Sequence, residues 1–118
     1  MTRGFKMLTF QASALLASAL LLSTVSAMTR AAPAPAAASV QIDNFTFKAP
    51  VTTVKVGTTI TWTNADDIPH TVVSKDGVFK SKVLDTGDHF SFTFAKPGQF
   101  GYFCSLHPHM TGTIVVKA

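Results

Sequence analysis

The chain of 118 residues has a single cysteine, Cys104, which excludes an internal disulfide and the paired-cysteine spacing of common structural zinc sites. Charge is also sparse, at 14% of residues. The lysines beyond the N-terminal region (Lys48, Lys55, Lys75, Lys80, Lys82, Lys96 and Lys117) are scattered, with no basic run interleaved with stacking aromatics, which argues against nucleic-acid binding. From Ser39 onward no stretch carries a helical period. There is no internal repeat, and no histidine-rich or methionine-rich arm of the kind that would point to metal delivery.

The one long apolar run lies at the N-terminus. Arg3 and Lys6 precede an apolar core from Ala14 to Leu22, and Val25-Ser26-Ala27 offers small residues to a signal peptidase, so residues 1–27 read as a leader cleaved after Ala27. The alternative is an uncleaved anchor, since Phe10 to Met28 approaches the roughly 20 residues of a membrane span. Either way the folded part is exported, and the periplasm is the expected compartment. Loss of Arg3 and Lys6 would take the formal charge from +4 to +2. Residues 28–38, with Pro33 and Pro35 among alanines, read as an extended spacer. Residues 39–118 are then one small domain, of a size at which a metal often supplements a thin core.

Within that domain the apolar period is two. Val40 and Ile42 alternate with Ser39, Gln41 and Asp43; Val54 and Val56 flank Lys55; Ile60 and Trp62 alternate with threonines. Phe90, Phe92 and Phe94 share one face, Phe100, Tyr102 and Cys104 another, and Ile114 to Val116 closes the chain. Turn signals at Asp76-Gly77, Asp85-Thr86-Gly87 and Lys96-Pro97-Gly98 separate these runs. The expected fold class is all-β, a small antiparallel sandwich or barrel.

Chemistry concentrates in Cys104-Ser105-Leu106-His107-Pro108-His109-Met110. A free thiol in an oxidising compartment needs protection by burial or by a metal. Taken singly, Cys104 reads as a buried small hydrophobe and Met110 as core, and His107 as a loop residue. Together, a thiolate, an imidazole and a thioether at every third position match the donor set of a blue-copper centre that lacks one histidine. His70 stands at the junction of a polar loop and the run Thr71-Val72-Val73; a lone histidine there is more often a surface or hydrogen-bonded residue than a ligand, but the rigid strand-end position strengthens its case as the missing donor. Zinc fits less well because a thioether is a poor fourth ligand. A cysteine-nucleophile enzyme lacks any orienting third group, so the chain is not read as an enzyme.

From about Val40 to Lys117 the sequence resembles the cupredoxins of the plastocyanin and amicyanin branch. The resemblance rests on Val56-Gly57-Thr58-Thr59-Ile60-Thr61-Trp62-Thr63-Asn64, Pro69-His70, Pro97-Gly98-Gln99-Phe100-Gly101-Tyr102 and the segment Cys104 to Met110. It implies a Greek-key β-sandwich and one copper per chain, cycling between Cu(I) and Cu(II). By the same resemblance the ligands are His70, Cys104, His107 and Met110. Two residues between His107 and Met110 match the short amicyanin loop. The implied function is transfer of single electrons between exported or membrane redox partners, which dock near His107, Leu106 and Pro108. The alternative is a periplasmic copper-binding or delivery protein with the same ligands. The chain is read as a monomer that meets a membrane only if its N-terminal segment is retained. Two residues depart from the family pattern: Thr71 stands where asparagine often ties the ligand loops together, and His109 where an aromatic or apolar residue is usual. His109 and His89 read as surface residues.

Overall fold

The computed structural model describes residues 36–118. The leader at 1–27 and most of the alanine-proline spacer lie outside the described residues. Eight strands follow one another: β1 (Ala37–Asp43), β2 (Thr46–Phe47), β3 (Val51–Lys55), β4 (Thr59–Asn64), β5 (Val73–Ser74), β6 (His89–Thr93), β7 (Gly98–Cys104) and β8 (His107–Lys117). They form two four-stranded sheets, ordered β2-β1-β4-β6 and β3-β8-β7-β5. No helix of the described residues is long and apolar enough to cross a membrane.

The period-two pattern becomes a core. Val40 and Ile42 of β1 with Ile60 and Trp62 of β4 are buried from one sheet, while Tyr102, Cys104, Ile114 and Val116 are buried from the other. Aromatic rings join the two layers: Tyr102 meets Phe47 at 4.7 Å and Trp62 at 5.5 Å between ring centroids. Each fully buried apolar side chain contributes about 1.5–3 kcal/mol by leaving water. Phe90 and Phe92, by contrast, are only half-buried, and Val56 lies beyond the end of β3 and is exposed.

The all-β sandwich is as the sequence implies, but its pairing is mixed rather than antiparallel throughout. β1 runs parallel to β4, and β3 parallel to β8. The physical reason is connectivity. Hairpins enforce antiparallel neighbours, as at β1–β2 and β7–β8, whereas the chain between β1 and β4 visits the other sheet through β3 and is free to return in the same direction. Ala37 and Ala38, placed in the spacer by their composition, already pair with Thr59 and Ile60. Small side chains hid a strand start that backbone pairing supplies.

The largest difference that bears on function is the length of β8. The apolar pattern marks only Ile114 to Val116, yet the strand begins at His107. The segment from Cys104 to Met110 therefore opens with a tight hairpin: Cys104 ends β7, Ser105 and Leu106 turn, and His107 opens β8 directly opposite Cys104, with a register shift at Phe103/Cys104. Polar and proline residues masked this strand, whose first residues are mostly exposed.

Candidate metal centre

Three donors converge where β7 and β8 meet the loop after β4. His70, Cys104 and His107 each offer one ligand atom, and those atoms lie within 4.8 Å of one another. Cys104 Sγ is 3.7 Å from His70 Nδ1 and 3.6 Å from His107 Nδ1. Such separations are those of donors sharing one first-row ion with bonds of about 2.0–2.3 Å. His70 and Cys104 are buried completely, whereas His107 is half-exposed. Met110 is buried on β8, three residues beyond His107, and lines a small cavity together with Phe45. The ring of Phe45 in turn packs on both His70 and His107. A thiolate and two imidazoles converging in this way suit copper.

The loop carrying His70 is held by residues to which the sequence alone assigned no role. Asn64, fully buried at the end of β4, donates through Nδ2 to the carbonyls of Ile68 and Leu84, each at 2.9 Å, and accepts from Asp66 N–H through Oδ1. The backbone of His70 pairs with Leu84 in both directions, at 3.0 and 2.7 Å. Neither end of the loop can drift.

Asp66 then fixes the imidazole itself. Its Oδ2 lies 3.0 Å from His70 Nε2 and also accepts the Phe45 N–H at 3.0 Å. The Phe45 N–H, followed by the His70 ring, holds the carboxyl at about 2, against an ordinary 3.8. With Nε2–H donated to a carboxylate, the lone pair of Nδ1 is left facing Cys104, the tautomer a metal requires. A carboxylate four residues before a candidate ligand histidine was the signal available in the sequence.

Around the sulfur, burial pushes the Cys104 thiol up, but hydrogen bonding, led by the Thr71 N–H, outweighs it and holds the thiol at about 6, below its usual 9.0. Thr71 N–H donates to Sγ at 3.4 Å. Its hydroxyl oxygen accepts the Ser105 N–H at 2.7 Å, lies 2.8 Å from Ser105 Oγ and 3.7 Å from Sγ. If Ser105 donates both of its hydrogens, the acceptor sites of Thr71 Oγ1 are filled and its own hydrogen is left for the sulfur. Threonine thus makes the tie between the ligand loops with two short bonds, and does so while facing the thiolate. His109 and His89 are exposed, as their positions implied.

Comparison with known proteins agrees with this geometry. The cupredoxin-like domain family matches residues 13–116. Amicyanin from Paracoccus versutus is 33% identical over 93 residues, spanning 74% of this chain and 70% of that protein. Among solved structures, a purple cupredoxin from Nitrosopumilus maritimus aligns with a TM-score of 0.64 and 34% identity over 68% of this chain and 99% of that one. An amicyanin variant in its Cu(I) state aligns at 0.66 with 34% identity, covering 69% of this chain and 82% of its own. Shared sequence, sandwich architecture and a buried cysteine between two histidines lead to one assignment: the chain belongs to the cupredoxins, of the amicyanin and plastocyanin type.

Proposed function

We propose that this chain is a type 1 copper electron carrier, holding one copper through His70 Nδ1, Cys104 Sγ, His107 Nδ1 and the thioether of Met110, and passing single electrons between exported redox partners. The observation that carries the reading is the convergence of His70, Cys104 and His107 donor atoms within 4.8 Å. Copper supplies the one-electron couple between Cu(I) and Cu(II). The protein supplies fixed donors. His70 is anchored by Asp66 and by its backbone bridge to Leu84, and Cys104 and His107 are anchored by facing each other across a hairpin. Donors that cannot rearrange satisfy neither oxidation state fully, which keeps both accessible.

Cys104 is completely buried, a position that gives a bulky reactant no direct access to its sulfur. An electron needs no such access. His107 is the half-exposed donor, flanked by exposed Leu106 and Pro108, with Ile68 half-buried nearby in the chain segment leading to His70. We assign this end as the docking surface. A small apolar face suits brief encounters, and the positive balance of the exported chain favours an acidic partner. The N-terminal sequence supports export to the periplasm, residues 1–27 acting as the leader and the residues from 28 to the start of β1 as the spacer.

The direct test is the optical and paramagnetic spectrum of the copper-loaded, oxidised protein. An intense thiolate-to-copper band in the visible, with a reversible one-electron couple, is the expected result. Absence of the band after loading would sink the assignment, and a colourless Cu(I) site exchanging metal rapidly would mark a delivery protein. For the docking surface, Leu106→Glu is expected to slow reduction by an acidic partner about 10-fold, mainly through the association rate. Stopped-flow reduction checks this, and the visible band of the variant should match that of the parent.

A further inference from the structure

β1 and β2 are joined by a two-residue turn, closed by the pairing of Asp43 with Thr46. Its central residues, Asn44 and Phe45, have φ of 50° and 55°, the only positive values at non-glycine positions among the described residues. A hairpin turn with positive φ at both central residues is normally Asn-Gly, since the left-handed region brings Cβ against the following carbonyl. Asparagine tolerates it. A bulky aromatic residue there is a backbone outlier, and such outliers concentrate where function holds them in place.

Two bland explanations fail. The turn does not require Phe45, because glycine suits it better, and the core does not require it either, because the residue is 46% exposed. What the ring does touch is specific. It stands edge-on to His70 at 5.7 Å and 90°, and edge-on to His107 at 5.0 Å and 89°. It spans the two imidazoles, while its N–H is one of the two donors to Asp66 Oδ2.

We propose that Phe45 is a strained aromatic cover for the metal centre, a positioning residue held in the left-handed turn so that its ring shields the two histidines from water on that side. This rests on the copper reading above. One residue then serves both ends of the His70 imidazole: its ring restrains the face toward His107, and its backbone fixes the carboxylate that orients Nε2. Excluding water from the histidines leaves fewer solvent dipoles to reorient when the charge at the site changes, because the apolar shell controls solvent access and local dielectric. A second consequence is slower metal loss, since a competing chelator must reach the site past the ring or past His107.

The test separates strain from cover with three variants. Phe45→Gly and Phe45→Ala both remove the ring, but only glycine relieves the backbone, so the metal-free Phe45→Gly protein is expected to melt about 4–8 °C above Phe45→Ala. Both are expected to release copper to excess chelator about 10-fold faster than the parent. Both should also show stronger relaxation of bulk water protons by Cu(II), while Phe45→Tyr keeps the parent's values. Release and relaxation equal to the parent in both ring-deleted variants would overturn the cover, and Phe45→Ala melting with or above Phe45→Gly would overturn the strain. A parent protein lacking the visible thiolate band would instead remove the copper reading itself, and this inference with it.

Discussion

Gly112→Ala is expected to lower stability by about 3 kcal/mol, at the upper end of what overpacking a core costs. Gly112 lies on β8 opposite Tyr102 of β7, and a Cβ built there would overlap Cζ and Oη of the Tyr102 ring. The ring cannot step aside. Tyr102 is completely buried, with Phe47 at 4.7 Å and Trp62 at 5.5 Å against it, so relief must come from moving β7 and β8 apart. In a domain of this size the loss corresponds to a fall in melting temperature of roughly 12–24 °C, which calorimetry of the metal-free protein would measure. Against a total stability of about 5–15 kcal/mol this is a large fraction. A double variant, Gly112→Ala with Tyr102→Ala, checks the cause. If the clash is responsible, the two changes should cost clearly less together than the sum of each alone, and strict additivity would reject the explanation.

The same pair shows how the site depends on the fold. Tyr102 stands two residues before Cys104, and Gly112 two residues after Met110, so the packed glycine sets the separation of the strands that carry these two residues. Period two in Phe100, Tyr102 and Cys104 made β7 legible in the sequence, as it did β1 and β4. β8 was legible only at its apolar end, since His107, Pro108 and His109 carry no strand pattern and owe their strand geometry to pairing with β7. The parallel pairs were not legible either: direction is decided by which sheet the intervening chain visits, and periodicity does not record that. At the metal end, residue types revealed the histidines and Cys104, because thiolate, imidazole and thioether together are chemically distinctive. The residues that orient them were hidden. Asn64 and Asp66 look like ordinary loop polar residues, and Phe45 like an ordinary apolar one, until the fold brings a carboxylate, a backbone N–H and an imidazole to one point.

That point gives the second large effect, expected for Asp66→Asn. The carboxylate makes three contacts: Oδ2 accepts from the Phe45 N–H and meets His70 Nε2, and Oδ1 accepts the Asp67 N–H. An amide of the same shape has one acceptor and one donor end. With its oxygen at the Oδ2 position, its NH2 group opposes the Asp67 N–H. Turned over, the NH2 group opposes both the Phe45 N–H and a protonated His70 Nε2, which drives the ring toward the tautomer carrying its hydrogen on Nδ1. That hydrogen would occupy the lone pair directed at Cys104 and at any metal. Both orientations leave a donor unsatisfied at a residue only 7% exposed, so folding stability is expected to fall as well. The loss in copper affinity is expected to be about 10–100-fold, the range found when partners of ligand histidines are removed. Competition against a chelator of known affinity, with denaturant unfolding of the metal-free variant alongside, measures the two separately. Asp66→Glu sharpens the outcome: it keeps the acceptor but lengthens the arm in a loop pinned by Asn64, so it should recover the His70 tautomer without recovering the full stability. Copper affinity unchanged in Asp66→Asn would show that His70 is oriented by its backbone bridge to Leu84 alone.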